Sequence, residues 1–203
     1  MKKINPAVVI PVLMSFFVVS FIDLVGTGVD ELKQDSSTPA YILQLIPFVA
    51  LIWFFLLSVP VGVWQDRAGK KKVLNYGILI TVAGLVVPAF GNTLPVILLA
   101  FTLLGIGNTI LQVSANPLLL DVSSEKSKAA NLSLSQFIKA STSMLGPIIT
   151  AGLVKITGNW KLIFPLYAAI SVVTVIWLYS VKIEESKPDK KPASFRSVLS
   201  LFN

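Results

Sequence analysis

Two ionisable residues stand inside otherwise apolar stretches of this chain: Asp23, between Ala7 and Val29, and Lys139, between Ala129 and Leu153. A carboxylate in such a setting can exchange a proton or bind a cation, and an ammonium can balance it or meet an anion. Polar side chains recur around them at helical spacing. Ser20, Asp23, Thr27 and Asp30 share one stripe; Asn108, Gln112 and Asn116 repeat every four residues; Ser135, Lys139 and Thr142 form a third stripe, with Gln136 beside it. Three such stripes suggest one shared cavity. The amides and hydroxyls suit either a polar ligand or bonds between helices, the latter worth ~0.6 kcal/mol each. Asp23 and Lys139 can also form a structural ion pair. Counted inward at ~1.5 Å per residue they differ by ~9 Å in depth, much of which a lysine stem can cover.

The elements that must position these groups follow from composition. Hydrophobic residues make up 54% of the chain and charged ones only 13%, against about a quarter in a soluble domain, and the mean hydropathy is +0.79. This predicts an all-α membrane protein crossing the bilayer six times, with spans at about 7–29, 41–64, 73–90, 94–120, 129–153 and 162–181, each near the ~20 residues a helix needs. Met1 to Pro6 resembles the head of a signal peptide, but the apolar run behind it is long and carries an acid, which favours a first membrane helix. Residues 30–40 read as an acidic loop. Residues 182–203 read as a solvated linker and the start of an amphipathic segment. Lysines and arginines divide thirteen against three between the two sides, which puts both termini in the cytoplasm.

Composition also excludes. The chain has no cysteine and no histidine, so disulfides, thiol nucleophiles, imidazole bases and most transition-metal sites are out of reach. No nucleophile–base pair or phosphate-cradling loop stands out, so neither an enzyme nor a cofactor is expected. The net charge of +7 comes from lysines scattered over short connections, which fits lipid and topology rather than nucleic acid.

Between the second and third spans lies Gly62-Val63-Trp64-Gln65-Asp66-Arg67-Ala68-Gly69-Lys70-Lys71. Gly62, Asp66, Arg67, Gly69, Lys70 and Lys71 match the G-x-x-x-D-[RK]-x-G-[RK]-[RK] signature, and on it the chain resembles the major facilitator superfamily of transporters. Gly105-Ile106-Gly107 with Leu111-Gln112-Val113-Ser114-Ala115-Asn116-Pro117, Leu134-Ser135-Gln136-Phe137 and the Gly158-Asn159-Trp160-Lys161 turn look like the fucose:proton symporter group of bacterial sugar transporters.

The resemblance implies the N-terminal six-helix half of a twelve-helix fold, in a bacterial inner membrane, with the C-terminal half missing. It implies a sugar-like substrate, alternating access and a proton or sodium ion as coupling partner. The signature implies a gate whose aspartate meets a helix end of the other half; without that half, Asp66 is expected to pair locally, with Arg67 or another basic residue. Three positions depart from the group. Its helix-four carboxylate corresponds to Gln112 and its helix-five asparagine to Lys139, while its helix-one acid falls at Thr27. The expectation is therefore that Asp23 titrates or binds the cation, that Lys139 is its counter-charge, and that Asn108, Gln112, Asn116 and Gln136 bind sugar hydroxyls. Alternatives are an anionic substrate such as a sugar acid, drawn to Lys139, and a membrane scaffold that transports nothing.

Overall fold

A computed structural model of the chain describes residues 6–23, 25, 26, 29, 30, 33, 39–91 and 93–186. Apolar runs of this length cannot leave backbone N–H and C=O groups unpaired in lipid, and the helix satisfies them within each segment. The long helices are α1 (Pro6–Val19), α2 (Leu45–Ala68), α3 (Lys70–Val86), α4 (Leu94–Val122), α5 (Lys128–Thr157) and α6 (Ile163–Ser180). With their flanking turns, they give six candidate spans that are long and apolar enough to cross a membrane. The described residues contain no strand.

Three helix ends tighten into single 3-10 turns: Ser20–Asp23 after α1, Val87–Phe90 after α3 and Trp160–Leu162 before α6. The first puts Asp23 where the regular helical ladder stops. α5 closes on Gly158, whose φ of +70° lets its N–H reach Val154 O at 2.8 Å.

α4 is the central column and touches α1, α2, α3 and α5. Its Gly105 and Gly107 explain how two neighbours approach it so closely. A methyl group at Gly105 would strike the Ala50 carbonyl of α2, and one at Gly107 would strike Thr81 of α3. With no hydrophobic drive between helices in lipid, such backbone proximity is a main source of cohesion. Phe16, Phe21, Phe101, Leu111, Leu118 and Tyr167 fill the buried interior. Phe21 and Tyr167 stack with ring centroids 4.0 Å apart, fixing the 3-10 turn after α1 to α6.

Burial is uneven. Over their most apolar windows, the spans containing α1 and α4 are 56% buried, whereas those containing α2 and α5 are only 17% buried. Phe48, Leu51, Phe55 and Leu56 of α2, and Phe137, Met144, Leu145 and Ile148 of α5, are all exposed.

Two segments depart from the expectations of sequence. The second helix does not stop near Trp64 but runs on through Gln65, Asp66, Arg67 and Ala68, reducing the connection to Gly69 alone. Polar residues end an apolar span without ending a helix, and these are adequate helix formers. The segment after α6 does not run free either: residues 182–186 lie back toward the start of α3, because Glu185 finds unpaired backbone N–H groups there.

Candidate functional site

The polar stripes meet. Lys139 Nζ of α5 donates to Gln112 Oε1 of α4 at 3.4 Å, and Asn116 Nδ2 donates to the Gln112 carbonyl at 3.4 Å. One turn along α5 from Lys139, Ser143 Oγ lies 2.9 Å from the Lys139 carbonyl and also donates to the Asp23 carboxylate. Asn116, Gln112, Lys139, Ser143 and Asp23 thus form one continuous polar path over three helices. Asp23 and Lys139 approach it from opposite ends and do not form a direct ion pair. Lys139 turns instead to an amide, leaving its charge without a carboxylate among the described residues.

The other expected residues stand beside this path. Asn108 is 6% exposed, and its Oδ1, like that of Asn116, is buried with no hydrogen-bond partner. Gln136 is exposed and, among the described residues, its amide reaches only Ser135 Oγ, at 3.4 Å. Thr27 lies outside the described residues. Ser143 and Tyr167 were not singled out by sequence. Ser143 sits in a run of hydroxyl residues where only its place four residues after Lys139 marks it, and Tyr167 reads as an ordinary aromatic of the last span.

Asp23, itself exposed, stands at a small crevice lined by Ser20, Thr142, Ser143, Gly146, Pro147 and Tyr167 that is too tight for a water molecule, let alone a sugar. Among the described residues, no three carboxylates converge, so the oxygens around Asp23 belong to hydroxyls.

The signature residues form a second centre, at the end of the bundle where α2 meets α3. Gly69 takes a φ of +95°, a value that L side chains rarely adopt, and its N–H closes α2 on Gln65 O at 2.9 Å. The Glu185 carboxylate accepts from the backbone N–H of Lys70 at 2.5 Å and of Lys71 at 3.1 Å, where the α3 dipole favours an anion. Lys70 Nζ pairs with Asp121 of α4 at 2.6 Å, and the two side chains are only 15% and 8% exposed. Lys71 Nζ donates to the carbonyls of Tyr179, at 3.2 Å, and Val181, at 2.6 Å, at the close of α6. Asp66 forms neither an ion pair nor a hydrogen bond among the described residues, so the local pairing expected for it is not made. Of the nearby lysines, Lys70 is held by Asp121 and Lys71 by the carbonyls at the end of α6. Gly62 is half-buried on α2 and Arg67 is exposed.

The model of the Major Facilitator Superfamily matches residues 11–203. A glucose/galactose transporter of Brucella abortus biovar 1 (strain 9-941) is 27% identical over 146 residues, which are 68% of this chain and 35% of that protein. Among solved structures, the proton:xylose symporter XylE superposes with a TM-score of 0.75 at 15% identity, covering 87% of this chain and 44% of that one. The E. coli fucose:proton symporter FucP superposes with a TM-score of 0.71 at 14% identity, covering 95% of this chain and 54% of that one. The chain therefore spans about a third of the length of the curated relative and about half of the solved chains.

Proposed function

Because the chain belongs to the Major Facilitator Superfamily, we propose that it supplies one six-helix half of a secondary active transporter that moves a sugar or related small polar solute by alternating access, with cation coupling. The observation that carries this reading is the polar path from Asn116 through Gln112, Lys139 and Ser143 to Asp23, laid across three membrane helices where each polar group is costly. Gln112, Asn116, Asn108 and Gln136 offer amides to solute hydroxyls, and Asp23 is the group that takes the proton or cation. The similar proteins named for glucose and galactose, xylose and fucose support a sugar as the solute.

The excess of lysine and arginine around the Gly69 junction supports a cytoplasmic position for it, in an inner membrane. There Lys70, Lys71, Asp121 and Glu185 tie α3, α4 and α6 together, and Asp66 is left for a helix N-terminus of the second half. That second half completes the cavity.

Uptake of labelled hexoses by cells producing the full-length protein tests the reading. Gln112→Leu is expected to lower uptake at least tenfold with unchanged protein level, and undiminished uptake would remove the path from transport. The absence of flux for any solute would favour the scaffold alternative. One observation favours a second reading, in which the solute is a sugar acid: the Lys139 ammonium meets an amide rather than a carboxylate. Competition by hexuronates that exceeds competition by neutral hexoses, and that is lost in Lys139→Met, would select it.

A further inference from the structure

The crevice beside Asp23 presents its oxygens in an unusual way. Ser20 Oγ donates its proton to Phe17 O at 2.7 Å, and Thr142 Oγ1 donates to Ile138 O at 2.8 Å. Their protons are thus spent on their own helices, and what the two hydroxyls have left for the crevice is lone pairs. Ser143 has one proton for two acceptors, the Lys139 carbonyl and the Asp23 carboxylate. With that proton on the carbonyl, the Ser143 oxygen and the carboxylate face each other as two acceptors. Tyr167, which also lines the crevice, is 2% exposed and its hydroxyl has no hydrogen-bond partner. Its ring is held against Phe21, so the phenol cannot leave to find water.

A buried hydroxyl without a partner costs about 1–3 kcal/mol, and a carboxylate that shares a crevice with hydroxyl oxygens offers the kind of oxygen ligands a hard cation takes. The charge count selects the ion. Calcium sites gather several carboxylates, and magnesium keeps much of its water, whereas this crevice holds a single carboxylate and is tight. Lys139, one turn before Ser143 on α5, is turned toward Gln112, and it adds positive charge that a divalent ion would meet at twice the cost. The 3-10 turn Ser20–Asp23 ends the regular ladder of α1 at the same place, and interrupted membrane helices are where sodium finds ligands in transporters of other folds.

We infer that Asp23, Ser20, Thr142, Ser143 and Tyr167 form a binding site for one sodium ion. The inference rests on the transport reading above and names its coupling ion. Binding would tie α1, α5 and α6 together through a single charge, next to the Ser143–Lys139 step of the polar path.

The test uses the purified full-length protein, with NaCl replaced by choline chloride or KCl at constant ionic strength and pH. Thermal unfolding is expected to shift upward with sodium in a saturable way and not with potassium or choline. Asp23→Asn is expected to lose the shift. Thr142→Val and Tyr167→Phe, which keep shape and remove one oxygen or one hydroxyl, are expected to raise the half-saturating sodium concentration about tenfold. Should Asp23→Asn fail to fold, the two milder variants and the wild-type titration still decide. A wild-type melt indifferent to sodium, or a sodium response unaltered in all three variants, overturns the site. Binding of hexoses and hexuronates is measured in parallel. Solute binding that responds to pH but not sodium overturns the sodium site alone, whereas solute binding under no condition overturns the transport reading itself.

Discussion

Lys70 and Asp121 show what a single buried charge pair does here. Their 2.6 Å contact joins α3 to α4, and both side chains are largely withdrawn from solvent. Removing one charge leaves the other buried and unpaired, at a cost of about 3 kcal/mol. Asp121→Asn should therefore lower the midpoint of thermal or SDS unfolding markedly, while Glu125→Gln, whose side chain is 86% exposed, should leave it in place. A charge is legible in sequence as a candidate when it stands in an apolar run, as Asp23 and Lys139 do. Asp121 was not, because it falls where a span gives way to a polar loop and an acid there needs no explanation. Ser143 and Tyr167 escaped for a different reason. A hydroxyl that satisfies itself on its own helix, as Ser143 does on the Lys139 carbonyl, carries little cost in lipid, and a tyrosine in an apolar span reads as an ordinary aromatic, so nothing in composition sets either apart.

At the scale of the element, apolar run length was sufficient to find six helices, and small residues sufficed to mark α4 as closely packed. What run length could not give was where helices end. Helix formation follows backbone hydrogen bonding, whereas membrane crossing follows hydropathy, and α2 obeys the first for four residues beyond its expected end. The segment after α6 shows a related limit: charge suggests solvation, and says nothing of the open N-terminus of α3 that engages Glu185. The glycine pair of α4 makes a sharp expectation. In Gly105→Leu the side chain must displace the Ala50 backbone of α2, so the variant should lose about 1–3 kcal/mol or more of stability. A monodisperse, wild-type melt of that variant would mean that α2 and α4 are not in backbone contact.

For the whole molecule, the uneven cover is the informative property. α2 and α5 expose large apolar residues along their lengths, whereas α1 and α4 are more buried. If α2 and α5 seat the second half, cysteines placed at Phe55 and Ile148 should be shielded from a membrane-permeant maleimide in the full-length protein, and a cysteine at Val173 of α6, 60% exposed, should react from lipid. Equal reactivity at all three positions would place lipid against α2 and α5. No sequence feature announces such a seat, because a lipid-facing residue and a residue facing another helix bundle are both apolar.

The single-residue joint at Gly69 has a mechanical consequence. A connection with no slack cannot absorb rotation: a swing of α2 is passed to α3, from α3 through Lys70 to α4, and through Lys71 and Glu185 to the end of α6. At this end four helices behave as one lever. Any bending within the six-helix unit must then be taken up at its other points of weakness, and the 3-10 turn of α1, which carries Asp23, is one of them.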